Sequence, residues 1–375
     1  MSTRTIGVTT TTVSITGSLP MGLRYTGDNR FRQDDQASRL RAMVTALQET
    51  PVPAPAGVPP TTPPLASAPE SRGGGAHGAT PAAAPMRTCP VVAITSGKGG
   101  VGKTSTCVNL AIALSQRGVK ATVVDADLGL ANADLICGMT PTTRLDSAVD
   151  LVRDDLGRLR KTIRPLRSLS QIAVDAPGGF RLVPGSVGVM RMANLSPAQR
   201  DVILAGLLEL ERESDIVLVD TGAGLSDGVT SFVAASDLAV VVATPEPTSI
   251  ADAYAMIKCV AQVRQQQGTS NRLRMALVIN QAGSPAEGQA VHARINATCK
   301  RFLSMDVPLL GVLHEDLALP ASVRARRPVL LSNPTARVCR DIRLLSAQVA
   351  AAVNVPLRPA IEKRRGRMFG WFLGQ

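Results

Sequence analysis

Aromatic side chains are scarce in this sequence. Its 375 residues include one Trp, two Tyr and six Phe. Ala, Val and Leu must therefore fill the interior, as they do where helices pack on a Val-rich parallel sheet. The chain is long enough for one large domain or two ordinary ones, with a buried core in either case.

Cysteine pairs and long apolar runs are also missing. The six cysteines lie far apart and form no C-x-x-C pair, so neither a zinc site nor a cluster is indicated. Cys107 and Cys259 fall in helical patterns and Cys137 follows one, and we expect all three to be small buried residues. No apolar run could span a bilayer, and the N-terminus has no signal-peptide core. These features predict a protein of the reducing cytoplasm.

Positive charge predominates, with 41 Lys and Arg against 29 Asp and Glu and a net charge of +12. This excess favours nucleic acid, anionic lipid or nucleotide as a partner, and a generic basic surface is the alternative.

Composition divides the chain into four regions. Residues 1–50 form a polar extension in which Leu40, Met43, Val44 and Leu47 predict an amphipathic helix at about 34–48. Residues 51–88 are rich in Pro, Ala and Gly and predict a disordered linker. A domain of alternating strands and helices follows at 89–357, and residues 358–375 form a basic tail. An isolated helix of this length is marginal in water, so the first helix must dock on its own domain or on a partner.

Short Val-rich runs alternate with helical segments in the main domain. A helix is predicted at 104–118, and strands are predicted at 89–96, 120–127, 180–185, 215–224, 237–247 and 274–282. This alternation predicts an α/β fold with a doubly wound, mostly parallel sheet. Functional residues should then gather where the strands end.

The first strand runs into a phosphate-binding loop. The segment reads G-K-G-G-V-G-K-T and comprises Gly97, Lys98, Gly99, Gly100, Val101, Gly102, Lys103 and Thr104, with Ser105 next. Such a loop between a strand and a helix directs backbone N–H groups at phosphates. Lys103 would neutralise the β- and γ-phosphates, and the Thr104 hydroxyl would bind Mg²⁺.

Three carboxylates follow other strands. Asp220 ends an apolar strand, the usual place for the acid that holds Mg²⁺ through water. Asp125 and Asp127 end the strand after the loop helix, and at spacing i, i+2 they point the same way. We assign Asp125 to the Mg²⁺ shell and Asp127 to positioning the attacking water.

The segments "SGKGGVGKT", "DADLGLANADL", "VDTGAG" and "TPEPTSIADAYAMIK" resemble those of MinD/ParA ATPases with a deviant phosphate loop. The resemblance implies a slow, Mg²⁺-dependent ATPase that forms a homodimer when ATP is bound. It also implies that Lys98 contacts the ATP of the partner subunit. Lys98, Lys103 and Asp127 are the expected catalytic residues. Asn280 matches the residue that recognises adenine in this class. Glu246 and Asp252 could have a structural role or lie next to the nucleotide, and the sequence leaves both alternatives open.

The chain further resembles the FlhG (FleN/YlxH) family, which controls flagellar number and placement. The resemblance covers about 34–48 and 89–350 and includes the D-Q-A-x-x-L-R helix: Asp35, Gln36, Ala37, Leu40 and Arg41. It implies that this helix stimulates GTP hydrolysis by the GTPase FlhF, with Gln36 as the key side chain. Flagellar switch proteins and a flagellar transcription regulator are further candidate partners.

The tail combines basic and apolar side chains: Arg364, Arg365, Arg367, Met368, Phe369, Trp371 and Phe372. This composition is typical of an interfacial membrane anchor, and a disordered basic tail is the alternative. We therefore expect a cytoplasmic protein that binds anionic membrane peripherally when ATP is bound.

Three other functions compete with this interpretation. A ParA-type DNA-partition ATPase fits the positive charge, although the aromatic tail suits lipid better and DNA is not the expected partner. An ATPase of the nitrogenase-iron-protein type would need cysteines that bridge a dimer, and no suitable pair is visible. A scaffold without catalysis is disfavoured by the intact Lys98, Lys103, Thr104, Asp127 and Asp220.

Overall fold

The computed structural model describes residues 89–128, 130–148, 168–186, 197–266 and 273–359. The predicted N-terminal extension 1–50, its helix at 34–48 and the linker 51–88 lie outside these described residues. The tail from residue 360 onward also lies outside them.

Eight strands, ten α-helices and one 3-10 helix (Leu145–Ala148) are described in these ranges. The strands are β1 (Val91–Ser96), β2 (Ala121–Ala126), β3 (Val174–Ala176), β4 (Phe180–Val183), β5 (Ile216–Ala223), β6 (Leu238–Ala243), β7 (Arg274–Ala282) and β8 (Leu309–His314). The helices are α1 (Lys103–Ser115), α2 (Ala133–Ile136), α3 (Leu169–Ile172), α4 (Pro197–Leu210), α5 (Asp227–Ala234), α6 (Pro247–Gln266), α7 (Pro285–Leu303), α8 (Ala318–Arg324), α9 (Val329–Ser332) and α10 (Arg337–Ala352).

The strands form one sheet in the order β3-β4-β2-β5-β1-β6-β7-β8. All neighbours pair in parallel except β3 and β4, which are antiparallel. The predicted doubly wound, mostly parallel α/β sheet is confirmed.

The central strands are apolar because helices cover both faces of the sheet. Every residue of β1, β2 and β6 is buried. On one face, α1 packs on β1 and β5, and α10 packs on α1 and on β8, where Leu345 lies beside Gly311. On the other face, α5 packs on β1 and β5, and its Phe232 belongs to a buried cluster that also contains Ile203 and Leu207 of α4. Continuous Val-rich runs therefore predict central strands here.

The two edge strands were not predicted. β3 has three residues, Val174–Ala176, and its central residue is exposed. In β8 the first four residues are half-buried, and Gly311 interrupts the apolar run. Edge strands are covered on fewer sides, so their sequences lack the continuous apolar pattern that marks the central ones.

All six cysteines are free thiols. Cys107 and Cys137 are buried as predicted, but the prediction for Cys259 is wrong because its position on α6 is only partly covered. Burial raises the pKa of the Cys137 thiol to about 12, so it is protonated and unreactive at neutral pH.

The described residues contain no helix with both the length and the apolar character needed to cross a bilayer.

Gly288 on α7 tests how tightly the helices pack on the sheet. A Cβ there would lie 2.5 Å from a Val312 methyl of β8, so Gly288→Ala should lower the free energy of unfolding by about 1–3 kcal/mol. Gly228→Ala is the matched control on α5, because its Cβ would meet nothing closer than the Ser226 hydroxyl at 3.9 Å. That change should stabilise the chain by about 0.4–1 kcal/mol. Urea unfolding followed by circular dichroism measures the free energy of unfolding of both variants. If both substitutions stabilise the chain equally, α7 does not pack as closely on β8 as the structure shows.

Candidate nucleotide-binding site

The predicted phosphate loop connects β1 to α1 at the carboxyl edge of the sheet. Gly100 and Gly102 have φ angles of +81° and +88°, a left-handed conformation that glycine adopts at little cost. Gly102 is the N-cap of α1, and it has no side chain that could accept a hydrogen bond from the first turn of this helix. The first N–H groups of a helix lack partners within it, so they can bind an anion here.

A cleft of about 680 Å³ opens in front of the loop. Six predicted nucleotide-binding residues line it: Gly99, Gly100, Gly102, Lys103, Thr104 and Ser105. The remaining walls come from the region between the end of β2 and α2, the region between the end of β5 and α5, and one residue of α8: Ala126, Asp127, Leu128, Leu130, Asn132, Ile136, Gly222, Ala223, Ser226, Gly228, Val229 and Val323. The volume suits a ligand of nucleotide size.

Lys103 is the main positive charge of the cleft. Burial lowers the pKa of its ammonium, and the nearby carboxylates of Asp220 and Asp127 raise it. The residue is only 8% exposed. A cation that has lost most of its water gains strongly from an anionic ligand, which is the role expected of Lys103 toward phosphate.

Asp220 lies fully buried next to Lys103 and Thr104. Burial raises its pKa well above the usual range, as does the Asp125 charge, while the Thr104 hydroxyl and the Lys103 ammonium lower it. Neither carboxylate oxygen has a hydrogen bond of ordinary geometry within the described part of the chain. A buried carboxylate without such partners is costly, and a cation beside Thr104 would satisfy it.

These residues fit Mg²⁺ better than a metal held by the protein alone. No group of three or more His, Cys, Asp or Glu side chains in the described ranges could hold a metal ion. Mg²⁺ needs only one or two protein ligands when phosphates and water complete its shell. The Thr104 hydroxyl and the Asp220 carboxylate are therefore the candidate ligands.

Asp125 has a structural role that its sequence pattern did not indicate. Its Oδ2 accepts hydrogen bonds from the N–H groups of Asn132 and Ala133, both at 3.0 Å, and its Oδ1 accepts one from Asp127 at 3.2 Å. Desolvation outweighs these bonds and raises its pKa to about 6. Asp125 thus holds the segment between β2 and α2 in place, and its predicted contact with Mg²⁺ stays a prediction.

Asp127 follows β2 by one residue and lines the cleft. Its Oδ1 accepts a hydrogen bond from the Leu130 N–H at 3.2 Å. A Cβ on Gly222, in the strand end opposite, would lie 3.4 Å from the same oxygen. The carboxylate therefore faces the cleft from the side, where its predicted contact with an attacking water stays a prediction.

Arg144 and Asp134 form a second support for this segment, and sequence reasoning missed it. Arg144 Nη2 donates to Asp134 Oδ2 at 2.6 Å, and Arg144 Nη1 donates to the Gly185 carbonyl at 3.0 Å. The Asp134 side chain is only 2% exposed. No motif marks Arg144, because its partners lie 10 and 41 residues away along the chain.

Lys98 does not line the cleft. Its ammonium donates hydrogen bonds to the Glu246 carboxylate and, at 3.0 Å, to the Thr248 hydroxyl. Both partners lie at the turn from β6 into α6. The structure thus keeps the two loop lysines apart, with Lys103 facing the cleft and Lys98 facing the neighbouring helix. Glu246, whose role the sequence left open, is the ion-pair partner of Lys98.

Asn280 of β7 and Asp252 of α6 contact the loop at Val101 and Gly97. Asn280 Nδ2 donates to the Val101 carbonyl at 2.8 Å, and Asn280 Oδ1 has no partner within the described residues. Gly97 is packed so closely that a Cβ would lie 2.1 Å from the Asp252 carbonyl oxygen. These residues shape the loop, and the predicted reading of adenine by Asn280 stays a prediction.

Several cleft residues escaped the sequence analysis. Ser226 could have been found, because its Oγ accepts from the Val229 N–H as an N-cap of α5. Leu130 and Val323 carry no such signal and reach the cleft only because the fold brings α8 beside the segment after β2. The partner-activating residues at 35–41 and the membrane-binding residues at 364–372 lie outside the described residues.

The parallel sheet, the glycine-rich loop and the buried lysine and carboxylate define a P-loop nucleotide-binding protein. The profile described as the CobQ/CobB/MinD/ParA nucleotide binding domain matches residues 92–329, and the chain belongs to this family. It is accordingly an ATPase that uses ATP and Mg²⁺.

Two curated relatives are similar over most of their length. The antiactivator FleN of Pseudomonas aeruginosa is 34% identical over 264 residues, which are 70% of this chain and 87% of FleN. The flagellum site-determining protein YlxH of Helicobacter pylori is 33% identical over 240 residues, 63% of this chain and 73% of YlxH.

Among solved structures, the cell division ATPase MinD of Pyrococcus furiosus superposes with a TM-score of 0.56 at 23% identity. It is matched over 99% of its length by 70% of this chain. MinD of Pyrococcus horikoshii, solved with Mg-ADP, gives 0.54 at 24% identity and covers 71% of this chain and 98% of its own. These similarities confirm the fold.

Asp220→Asn tests the cation site through stability. Folded Asp220 and Asp125 hold protons at pH values where the unfolded chain has released them, so the free energy of unfolding without nucleotide should fall as pH rises from about 4. In Asp220→Asn the slope of the unfolding free energy against pH should be smaller by an amount that corresponds to roughly one proton. The rise in melting temperature with Mg-ATP should disappear. Calorimetry between pH 4 and pH 8 measures both quantities. If Mg-ATP raises the melting temperature of Asp220→Asn as much as that of the unchanged chain, Asp220 does not bind the cation.

Proposed function

We propose that the chain is an ATP-dependent dimerising switch that controls flagellar number or placement. The observation that carries this proposal is the loop with two lysines, of which Lys103 faces the cleft and Lys98 does not. The similarity to FleN and to the flagellum site-determining protein YlxH supports the flagellar role.

The chain's own residues divide the work of hydrolysis. Lys103 and the N–H groups of the loop bind and orient the phosphates of ATP. Thr104 and Asp220 hold Mg²⁺, which when bound screens phosphate charge and polarises phosphoryl oxygens. Asp127 faces the cleft and holds the attacking water in line with the γ-phosphate. The low exposure of Lys103 and Asp220 supports these roles, because charges act strongly where water is excluded.

Dimerisation supplies the second lysine. In a two-fold dimer with ATP at the interface, Lys98 of each subunit reaches the phosphates of the other. A cation supplied by the partner makes the dimer depend on the γ-phosphate, so hydrolysis releases it. The paired tails, with Arg364, Arg365, Arg367, Met368, Phe369, Trp371 and Phe372, would then hold the dimer on anionic lipid more strongly than one tail could.

The output of the switch is the segment predicted to form the N-terminal helix. Asp35, Gln36, Ala37, Leu40 and Arg41 match the segment that stimulates FlhF in the FlhG family. A glutamine amide beside bound GTP can orient the attacking water, as glutamines do in other GTPases.

A ParA-type DNA-positioning ATPase is the second candidate. It is favoured by the net charge of +12 and by three exposed arginines at the end of α8: Arg324, Arg326 and Arg327. ATP-dependent retardation of DNA that weakens steeply with salt would favour it over the flagellar role.

Lys98→Ala tests the dimer. The variant should stay monomeric with Mg-ATP in static light scattering, because each subunit loses the cation that it gives to its partner. Its affinity for a fluorescent ATP analogue should change less than about threefold, since Lys98 does not line the cleft of its own subunit. Lys103→Ala is the control that should lose nucleotide binding. If Lys98→Ala forms the ATP-dependent dimer as the unchanged chain does, Lys98 does not contact the ATP of the partner subunit.

Gln36→Ala in the full chain tests the output. With FlhF from the same cell, the unchanged chain should accelerate GTP turnover, and the variant should lose most of that stimulation. Gln33→Ala, three residues earlier and outside the matched motif, is the control that should retain it. If neither the unchanged chain nor the variants stimulate FlhF, the proposed stimulation of FlhF is wrong, and the ATPase activity is not affected by that result.

A further inference from the structure

We propose that Arg144 is a positioning residue for ATP hydrolysis, because the bridge that it forms between Asp134 and Gly185 fixes the segment that carries Asp127. This inference rests on the proposed role of Asp127 in holding the attacking water.

The segment that carries Asp127 lies beyond the sheet. β2 ends at Ala126 and α2 begins at Ala133, so residues 127–132 connect the two outside the strand pairing of β2. Asp127 and Leu130 of this segment line the cleft, and the Leu130 N–H donates to Asp127 Oδ1 at 3.2 Å. Since this hydrogen bond lies within the segment, the place of the carboxylate depends on where the whole segment lies.

Gly185 contacts the segment from one side. β4 pairs with β2 in parallel, and Gly185 follows the end of β4 by two residues. A Cβ on Gly185 would lie 2.5 Å from the Ala131 Cβ and 2.6 Å from the Asp125 carbonyl oxygen. The main chain of Gly185 therefore lies directly against the segment.

Arg144 connects Gly185 to the helix at the far end of the segment. Its Nη1 donates to the Gly185 carbonyl at 3.0 Å, and its Nη2 donates to Asp134 Oδ2 of α2 at 2.6 Å. A guanidinium is planar and its donors have a fixed spacing, so the two contacts set the distance between Gly185 and α2. A shift of the segment that moves α2 would break this bridge.

Burial makes the bridge firm. The Asp134 side chain is 2% exposed and that of Arg144 is 27% exposed. The other carboxylate oxygen, Asp134 Oδ1, accepts the Leu135 N–H at 2.9 Å. The Leu145 N–H, next to Arg144 in the chain, donates to the Pro184 carbonyl at 2.9 Å. Charge-assisted hydrogen bonds with so little access to water hold their groups more tightly than neutral, exposed ones.

The bridge should affect hydrolysis and not nucleotide binding. Arg144 and Asp134 do not line the cleft, whereas Lys103 and the phosphate loop do. A displaced group that holds the attacking water lowers kcat, because the reacting atoms are no longer aligned. The affinity for nucleotide depends on contacts of the loop, which the bridge does not touch.

Arg144→Lys in the full chain tests the proposal. Lysine keeps a positive charge beside the buried Asp134, but one ammonium cannot reproduce the fixed spacing of two guanidinium contacts. Turnover is measured with Mg-ATP where light scattering shows the same oligomeric state for the variant and the unchanged chain. The kcat should fall by about 10- to 100-fold. The KM, and the Kd for a fluorescent ATP analogue, should change by less than about threefold.

Hydrogen exchange gives a second measurement that does not depend on activity. The N–H groups of Asn132 and Ala133 donate to Asp125 Oδ2 at the end of the segment. In nucleotide-free Arg144→Lys they should exchange at least roughly fivefold faster, because the segment opens more often. The N–H groups of β1 should exchange as they do in the unchanged chain.

Arg181→Lys is the matched control. Arg181 forms the same kind of bridge, since it donates to the Glu213 carboxylate at 2.6 Å and to the Ser170 carbonyl at 2.9 Å. None of these three residues lines the cleft. The control should change neither kcat nor the hydrogen exchange of residues 127–133.

The possible failures are distinguishable. If Asp127→Ala hydrolyses ATP like the unchanged chain, the proposed role of Asp127 fails and this inference fails with it. If Asp127→Ala loses turnover but Arg144→Lys retains it, or if Arg144→Lys leaves the exchange of Asn132 and Ala133 unchanged, only the positioning by Arg144 is overturned. A higher KM at unchanged kcat would assign Arg144 to nucleotide binding and would also overturn the proposal.

The double variant tests whether Arg144 acts through Asp127. Added to Asp127→Ala, Arg144→Lys should lower the residual turnover by less than about twofold, because the group that it positions is already absent. A loss as large as in the unchanged background would show that Arg144 acts on hydrolysis by another route, and the proposal would be wrong.

Discussion

The parallel pairing of β1 with a strand on each side is the constraint on which the rest of the structure depends. β1 pairs with β5 on one side and with β6 on the other. Parallel strands end at the same edge, so the loop after β1 lies between Asp220 of β5 and the Glu246 turn after β6. One pairing pattern thus creates a buried site for phosphate and cation on one flank and an exposed site for Lys98 on the other.

Burial gives the two flanks different electrostatic properties. Asp220 and Asp125 are fully buried, and Lys103 is nearly so. Without a ligand these charges oppose folding, which is why burial raises the pKa of both carboxyls and lowers that of the ammonium. Lys98 and Glu246 remain in contact with water, so their pairing is weak and reversible.

The two aspartates after β2 illustrate how a local pattern can mislead. Their i, i+2 spacing predicts parallel side chains, which holds only while the strand remains extended. β2 ends at Ala126, between them, and the chain then turns toward α2. Asp125 is consequently buried with three backbone N–H partners, whereas Asp127 reaches the cleft. Support of this segment by Asp125, and by the Arg144–Asp134 pair, required contacts that no local pattern contains.

The sequence by itself determined the fold class, the central strands and the phosphate loop. Each is a local pattern: continuous apolar runs where helices cover a strand on both faces, and glycines where the backbone is left-handed, as at Gly100 and Gly102. It also indicated Lys103, Thr104 and Asp220, because their places relative to strand ends are set by the same local pattern. The tertiary structure alone decided the half-covered edge strands, the wall of the cleft at Leu130 and Val323, and the partner of Lys98. Those depend on which distant segments meet across the sheet, and that is set by how all the helices and strands pack together.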